Sequence, residues 1–167
     1  MALLLASPAS AFADSDKGFE IGAKPAWFLM AGLTSGGTVA VDDRGAFVGG
    51  EMSVSRLKNA SYLGIYADGY YDFGPDGWYL TAGPLLGKVR RSAFTPTALG
   101  LDGGVAVRFA DGDSQLGGTI RGSFIVTGAV SLYARYLHFG TSDNEQIVQV
   151  GITFKYPLVK PFGAGAN

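Results

Sequence analysis

A single histidine, His138, and the absence of cysteine set narrow limits on what this chain can catalyse. A Ser-His-carboxylate relay has to be built around that one imidazole. Its neighbours do not supply one: Phe139 and Gly140 follow it, and Ser142 and Glu145 stand off-spacing. One His without any thiolate leaves no ligand set for a transition metal, so no catalytic residue, metal or cofactor is expected. The Gly-Gly pairs at 36–37, 49–50, 103–104 and 117–118 do not open helices and are not phosphate loops. What remains is charge: Glu20, Lys24, Glu51, Asp68, Asp72, Asp102, Arg108, Arg121, Arg135 and Lys155 lie singly among Gly, Ser, Thr and Tyr. Side chains so few and so evenly balanced in sign suit a confined space, because an unpaired buried charge is strongly unfavourable.

Strands must position them. Eight segments of period-two alternation run from Phe19 to Met30, Ala46 to Leu57, Tyr62 to Phe73, Trp78 to Leu86, Ala98 to Phe109, Gln115 to Val126, Val130 to Phe139 and Gln146 to Tyr156. In the last, Val148, Val150, Ile152, Phe154 and Tyr156 share one face, while Ile147, Gln149, Gly151, Thr153 and Lys155 share the other. Turn chemistry separates the segments, most clearly at Gly74-Pro75-Asp76-Gly77. Ser35 to Arg44, Lys88 to Thr97, Ala110 to Ser114 and Gly140 to Glu145 read as further connections, Lys88 to Thr97 being the long one. The pattern is an antiparallel meander, all-β, within one domain.

Composition bears on which face meets solvent. Only 16% of the 167 residues are charged, against about a quarter in soluble domains, and Gly numbers 26. A net charge of -1 gives no footprint for nucleic acid. A soluble barrel would carry several Lys or Glu on each outer face; these polar faces carry one or two charges each, and the apolar faces almost none. The expected fold is therefore an eight-stranded antiparallel up-and-down transmembrane β-barrel with a side-chain-filled, ion-paired lumen. Lys24, Glu51, Asp68, Asp72, Asp102, Arg108, Arg121 and Arg135 form the expected lumen network, with Glu51, Asp68, Arg121 and Arg135 at its centre. Glu20 and Lys155 are expected to pair across the barrel closure. Trp27, Phe73, Trp78, Phe109, Phe139, Phe154 and Tyr156 are expected in aromatic girdles at the bilayer interfaces.

The region from Phe19 to Tyr156 resembles the small eight-stranded outer-membrane barrels of the OmpA/OmpX type in its pattern of strands and turns. Gln149, Gly151, Phe154 and Tyr156 also resemble the terminal-strand signal of that family. The resemblance implies a bacterial outer-membrane location, recognition by the barrel-assembly machinery, contact with outer-membrane lipid, and short turns on the periplasmic side. Outer-membrane lipid A deacylases place a Ser two residues from a His near the end of a late strand; here that position is Gly140. The expected role is non-enzymatic, structural or in surface interaction, with the chain monomeric. A narrow pore for small solutes through the same barrel is one alternative, and a soluble periplasmic barrel binding an apolar ligand is another. Residues 1–13 read as a signal peptide, with small residues before Asp14 fitting an A-x-A cleavage rule. Residues 157–167 read as a short tail.

Overall fold

The computed structural model describes residues 25–40, 43–91, 96–110, 112–126, 129–140 and 145–158. Eight strands follow in chain order: β1 (Ala26–Ala40), β2 (Arg44–Lys58), β3 (Ser61–Asp72), β4 (Gly77–Arg91), β5 (Pro96–Ala110), β6 (Asp113–Val126), β7 (Val130–Phe139) and β8 (Gln146–Pro157). Each pairs antiparallel with the next, and β8 pairs with β1 to close the sheet. The chain is an all-β, eight-stranded up-and-down barrel. Both ends of the strand array, the start of β1 and the end of β8, lie at one mouth, called here the terminal end. The far end carries the β1–β2, β3–β4, β5–β6 and β7–β8 connections.

Register fixes the shape. The row of paired residues that leaves β8 at Tyr156 passes Ala31, Met52, Ala67, Ala82, Val105, Gly118 and His138, and returns to β8 at Gln146, ten residues earlier. Such a stagger tilts the strands by roughly 35–45° and leaves an interior that side chains can fill.

Period two decides what faces where. On β7, Ser131, Tyr133, Arg135, Leu137 and Phe139 are buried, and Leu132, Ala134, Tyr136 and His138 between them are exposed. On β3 the same alternation buries Tyr66, Asp68, Tyr70 and Asp72 and exposes Leu63, Ile65 and Ala67. Large apolar side chains cover the outside, among them Leu33, Leu63, Leu99, Leu116 and Val150. The barrel is inside-out: apolar without, polar and charged within.

Three connections differ from the sequence expectation. β1 runs from Ala26 to Ala40, so most of the expected Ser35 to Arg44 connection is strand; residues 19–24 of the expected first strand lie outside the described residues. The connection's Gly and Thr residues are wall rather than loop: Thr38, like Thr34 just before the connection, is buried and faces the lumen. β4 runs on to Arg91 and β5 starts at Pro96, which shortens the expected Lys88 to Thr97 connection to residues 92–95. Lys88 and Arg90 are exposed strand residues at the barrel's end, where charge does not oppose pairing. Likewise β5 extends to Ala110 and β6 begins at Asp113. Between β2 and β3 the turn is as tight as Lys58 to Ser61 suggests. Asn59 and Ala60 both take positive φ, 49° and 62°, as a two-residue primed hairpin turn requires. The expected signal peptide at residues 1–13 lies outside the described residues.

The closing seam depends on missing side chains. Gly36 of β1 sits opposite Gly151 of β8, and both face inward under the Phe47 ring. A Cβ on Gly36 would stand 2.2 Å from the Val150 carbonyl oxygen and 2.7 Å from Phe47 Cζ. Gly36→Ala is expected to destabilise the barrel by about 1–3 kcal/mol through overpacking, read as a shift of the urea midpoint in micelles. Gly122→Ala, where a Cβ meets nothing within 4 Å, is the matched control and should stay within about 0.5 kcal/mol.

Candidate functional site

Among the described residues, the lumen is where the fold buries opposite charges together. β2 and β3 place Glu51 and Asp68 directly opposite each other. β6 and β7 do the same with Arg121 and Arg135 on the other side of the barrel. Like charges so paired repel within each wall. Across the lumen they attract, and all four are buried.

Arg121 is the hub. Its Nε donates to both carboxylate oxygens of Asp102, at 3.0 and 2.9 Å, from the neighbouring position on β5. Its Nη1 reaches over the lumen to Glu51 Oε2 at 2.6 Å and to Asp68 Oδ2 at 3.4 Å. One guanidinium thus ties β6 to β5, β2 and β3, a use that its planar fork permits and an ammonium does not. Arg135 donates to Asp68 through Nη2. Its Nε and Nη1 meet no acceptor at hydrogen-bond geometry among the described residues. Thr81 completes Asp68 from β4, donating at 2.5 Å.

Tyrosines line the same layer. The Arg121 Cζ lies 4.8 Å from the Tyr66 ring centre and 5.3 Å from that of Tyr133. Arg135 lies 5.1 Å from Tyr70 and 5.5 Å from Tyr133. Each guanidinium is therefore held by ring faces as well as by carboxylates, which offsets part of its desolvation. Thr34 and Tyr133 share a hydrogen bond of 2.7 Å.

Lys155 pairs with Glu51 at 2.5 Å. Glu20, its expected partner, lies outside the described residues, as does Lys24. Register brings Glu51 within reach. Lys155 on β8 is opposite Gly32 on β1, which is opposite Glu51 on β2. With no side chain on Gly32, the lysine stem passes over β1 to the next strand. Its ammonium still crosses the closing seam, from β8 to β2.

Asp72 differs from the expectation in another way. It is fully buried, but no cation among the described residues pairs with it. It accepts from Thr38 Oγ1 at 2.5 Å, Gln149 Nε2 at 2.9 Å and the Gly74 backbone N–H at 3.1 Å. Three neutral donors satisfy this carboxylate and fasten β1, β8 and the β3–β4 turn together. Arg108 stands apart from the central cluster, near the far end, where it pairs with Glu145 and donates to the Pro75 carbonyl at 2.6 Å.

An aromatic layer lies between the charges and the far end, and sequence reasoning missed it. Tyr70 stacks on Tyr79 with ring centres 5.1 Å apart. Phe47 packs 5.4 Å from Tyr70, and Phe139 lies 6.0 Å from Tyr79. Phe139 therefore belongs to the interior, not to a girdle. Its position at a strand end suggests an interface, but its parity with Arg135 and Tyr133 places it inside. Leu137 and Ile147 complete the layer. Trp27, Phe73, Trp78, Phe109, Phe154 and Tyr156 are all exposed on the outer surface. Of the residues in the terminal-strand signal, Gln149 is buried against Asp72 and Thr38, Gly151 sits at the seam, and Phe154 and Tyr156 face outward.

Chemically, this interior closes the barrel rather than opening it. Carboxylates, guanidiniums and an ammonium compensate one another in one layer, and tightly packed rings fill the next. His138 points outward from β7, away from the lumen carboxylates.

No family model and no curated protein matches the chain. Among solved structures, it is similar to Neisserial surface protein A (NspA), at 15% identity and a TM-score of 0.49 over 78% of this chain and 97% of that one. It is similar to the N-terminal β-barrel domain of Pseudomonas aeruginosa OprF, at 12% identity and a TM-score of 0.45 over 76% and 97%. It is also similar to Ail, the attachment invasion locus protein of Yersinia pestis, in complex with the heparin analogue sucrose octasulfate, at 12% identity and a TM-score of 0.36 over 81% and 100%.

Proposed function

We propose that this chain is a non-enzymatic bacterial outer-membrane β-barrel with a structural or surface-interaction role. It crosses the bilayer with a lumen closed by ion pairs and aromatic rings. The observation that carries this reading is the facing of the walls. Leu33 and Leu116 are 73% and 71% exposed while Arg135 is 1% exposed, the reverse of a soluble barrel and the arrangement hydrocarbon demands. A soluble barrel around an apolar ligand needs the opposite facing. Outer-membrane lipid is then the solvent of the outer surface, and the barrel-assembly machinery is its route there.

Refolding tests the reading. The chain is expected to gain β-sheet circular dichroism in detergent micelles and to aggregate in plain buffer, because the outer wall has no water-compatible partner. Stable, monomeric folding in buffer would overturn the membrane assignment. In planar bilayers the folded barrel is expected to hold no steady conductance. A steady ohmic current would replace the closed lumen with the narrow-pore reading.

A further inference from the structure

We propose that the outward-facing cations Arg56, Lys58, Lys88 and Arg90 form a collar that binds anionic phospholipid headgroups in the leaflet at the barrel's terminal end. The inference rests on the membrane reading above and adds an orientation and a lipid class to it.

Parity and register assemble the collar. Arg56 and Lys58 occupy outward positions at the end of β2, and Lys88 and Arg90 occupy outward positions at the end of β4; all four are exposed. Lys58 is opposite Ser61, and Ser61 is opposite Lys88. The two lysines thus flank β3 at two strand spacings, roughly 10 Å, close enough for neighbouring headgroups. Towards the middle of the barrel the same outer faces become apolar at Val54, Leu63 and Leu86. The collar therefore sits at the edge of the apolar belt, where headgroups lie.

Arg56 is also placed as an interfacial residue, with its Cζ 5.9 Å from the ring centre of Trp27. That contact leaves its fork free to meet a phosphodiester.

Charge is segregated along the barrel axis. Among the described residues, every acidic side chain outside the lumen layer belongs to the far end: Asp43, Asp76, Asp113 and Glu145. None of the described acidic residues stands on the outer face at the terminal end, and the salt bridges among the described residues include none of the four cations. Four cations over three adjacent strands, without an acidic partner among the described residues, make a local field that anionic headgroups complement. Each basic residue near a membrane surface adds attraction, and together they exceed what neutral lipid can offer.

The chain has two tryptophans, and they report on the two ends separately. Trp27 lies beside the collar and Trp78 at the far end of β4. The full chain carrying Trp78→Phe is reconstituted in phosphatidylcholine vesicles containing brominated phosphatidylglycerol or, in parallel, brominated phosphatidylcholine. Quenching of Trp27 is expected to show at least about a threefold preference for the anionic lipid, lost at about 0.5 M salt. With Trp27→Phe, Trp78 is expected to show no preference. Combining Arg56→Gln, Lys58→Gln, Lys88→Gln and Arg90→Gln with Trp78→Phe should remove the preference at Trp27. Equal quenching of Trp27 by both lipids, or a preference that survives the four substitutions, would overturn the collar. Absence of quenching by either lipid at either tryptophan means that the chain does not insert, and overturns the membrane reading together with the collar.

Discussion

Arg121→Met is expected to lower the stability of the barrel by about 3–5 kcal/mol, because it strands buried carboxylates that have lost their cation. Asp102 loses both of its bonds from Nε, and Glu51 loses one of its two cationic contacts and keeps Lys155. Arg135→Met removes the same charge from the neighbouring strand, yet it should cost less, about 1–3 kcal/mol. Only Asp68 depends on Arg135, and Asp68 keeps Thr81 and the longer contact from Arg121. Removing Arg135 also removes two buried nitrogens, Nε and Nη1, that meet no acceptor among the described residues. The measurement is urea unfolding in micelles, with Glu51→Gln and Asp102→Asn added to Arg121→Met to restore part of the loss. If both arginine substitutions cost little and equally, water screens the lumen, and the closed interior gives way to the conducting one.

That ordering depends on register, which is the part of this fold that the sequence does not display. Local alternation puts Glu51, Asp68, Asp102, Arg121 and Arg135 on polar faces without reference to any other strand. Which of them touch depends on how far each strand slides past its neighbour, and the ten-residue stagger around the barrel is a property of the closed sheet. Lys155 illustrates the difference. Its face is readable, but its partner depends on Gly32 lying between it and Glu51. Arg108 and Glu145 likewise meet only because β5 and the β7–β8 connection share the far mouth.

Strand limits fail for a different reason. Gly36, Gly37 and Thr38 have loop composition, and in a soluble sheet they would end a strand. Here small residues are needed where the Phe47 and Tyr133 rings crowd the seam, so composition and structure point in opposite directions. Phe139 is expected in a girdle because strand ends and lumen ends coincide, and the structure buries it instead. Parity with Arg135 is the signal that places it inside, and the same parity identifies Tyr66, Tyr70 and Tyr133 as lumen residues.

The outer surface makes the sharpest demand on the membrane reading. Ile120→Arg is expected to cost about 2–4 kcal/mol in a phospholipid bilayer, the range for a cation near the midplane on the lipid face of a barrel. Ile120 is half exposed and faces outward from the middle of β6, seven residues after Asp113 and six before Val126. Its paired neighbours are Gly103 on β5 and Tyr136 on β7, so the substitution breaks no lumen contact and adds no steric clash. In water the same change at an exposed site would fall within about 0.5 kcal/mol. Phe73→Arg, just beyond the end of β3 at the far mouth, supplies the depth control and should cost only about 0–1 kcal/mol. Urea unfolding from vesicles measures both. A large penalty at Ile120 with a small one at Phe73 gives the depth profile of a spanning wall, because only hydrocarbon distinguishes two outward, exposed apolar positions in this way. Equal and small penalties would mean that water bathes the whole outer face, and the charged lumen would then need a different explanation from the one a bilayer provides.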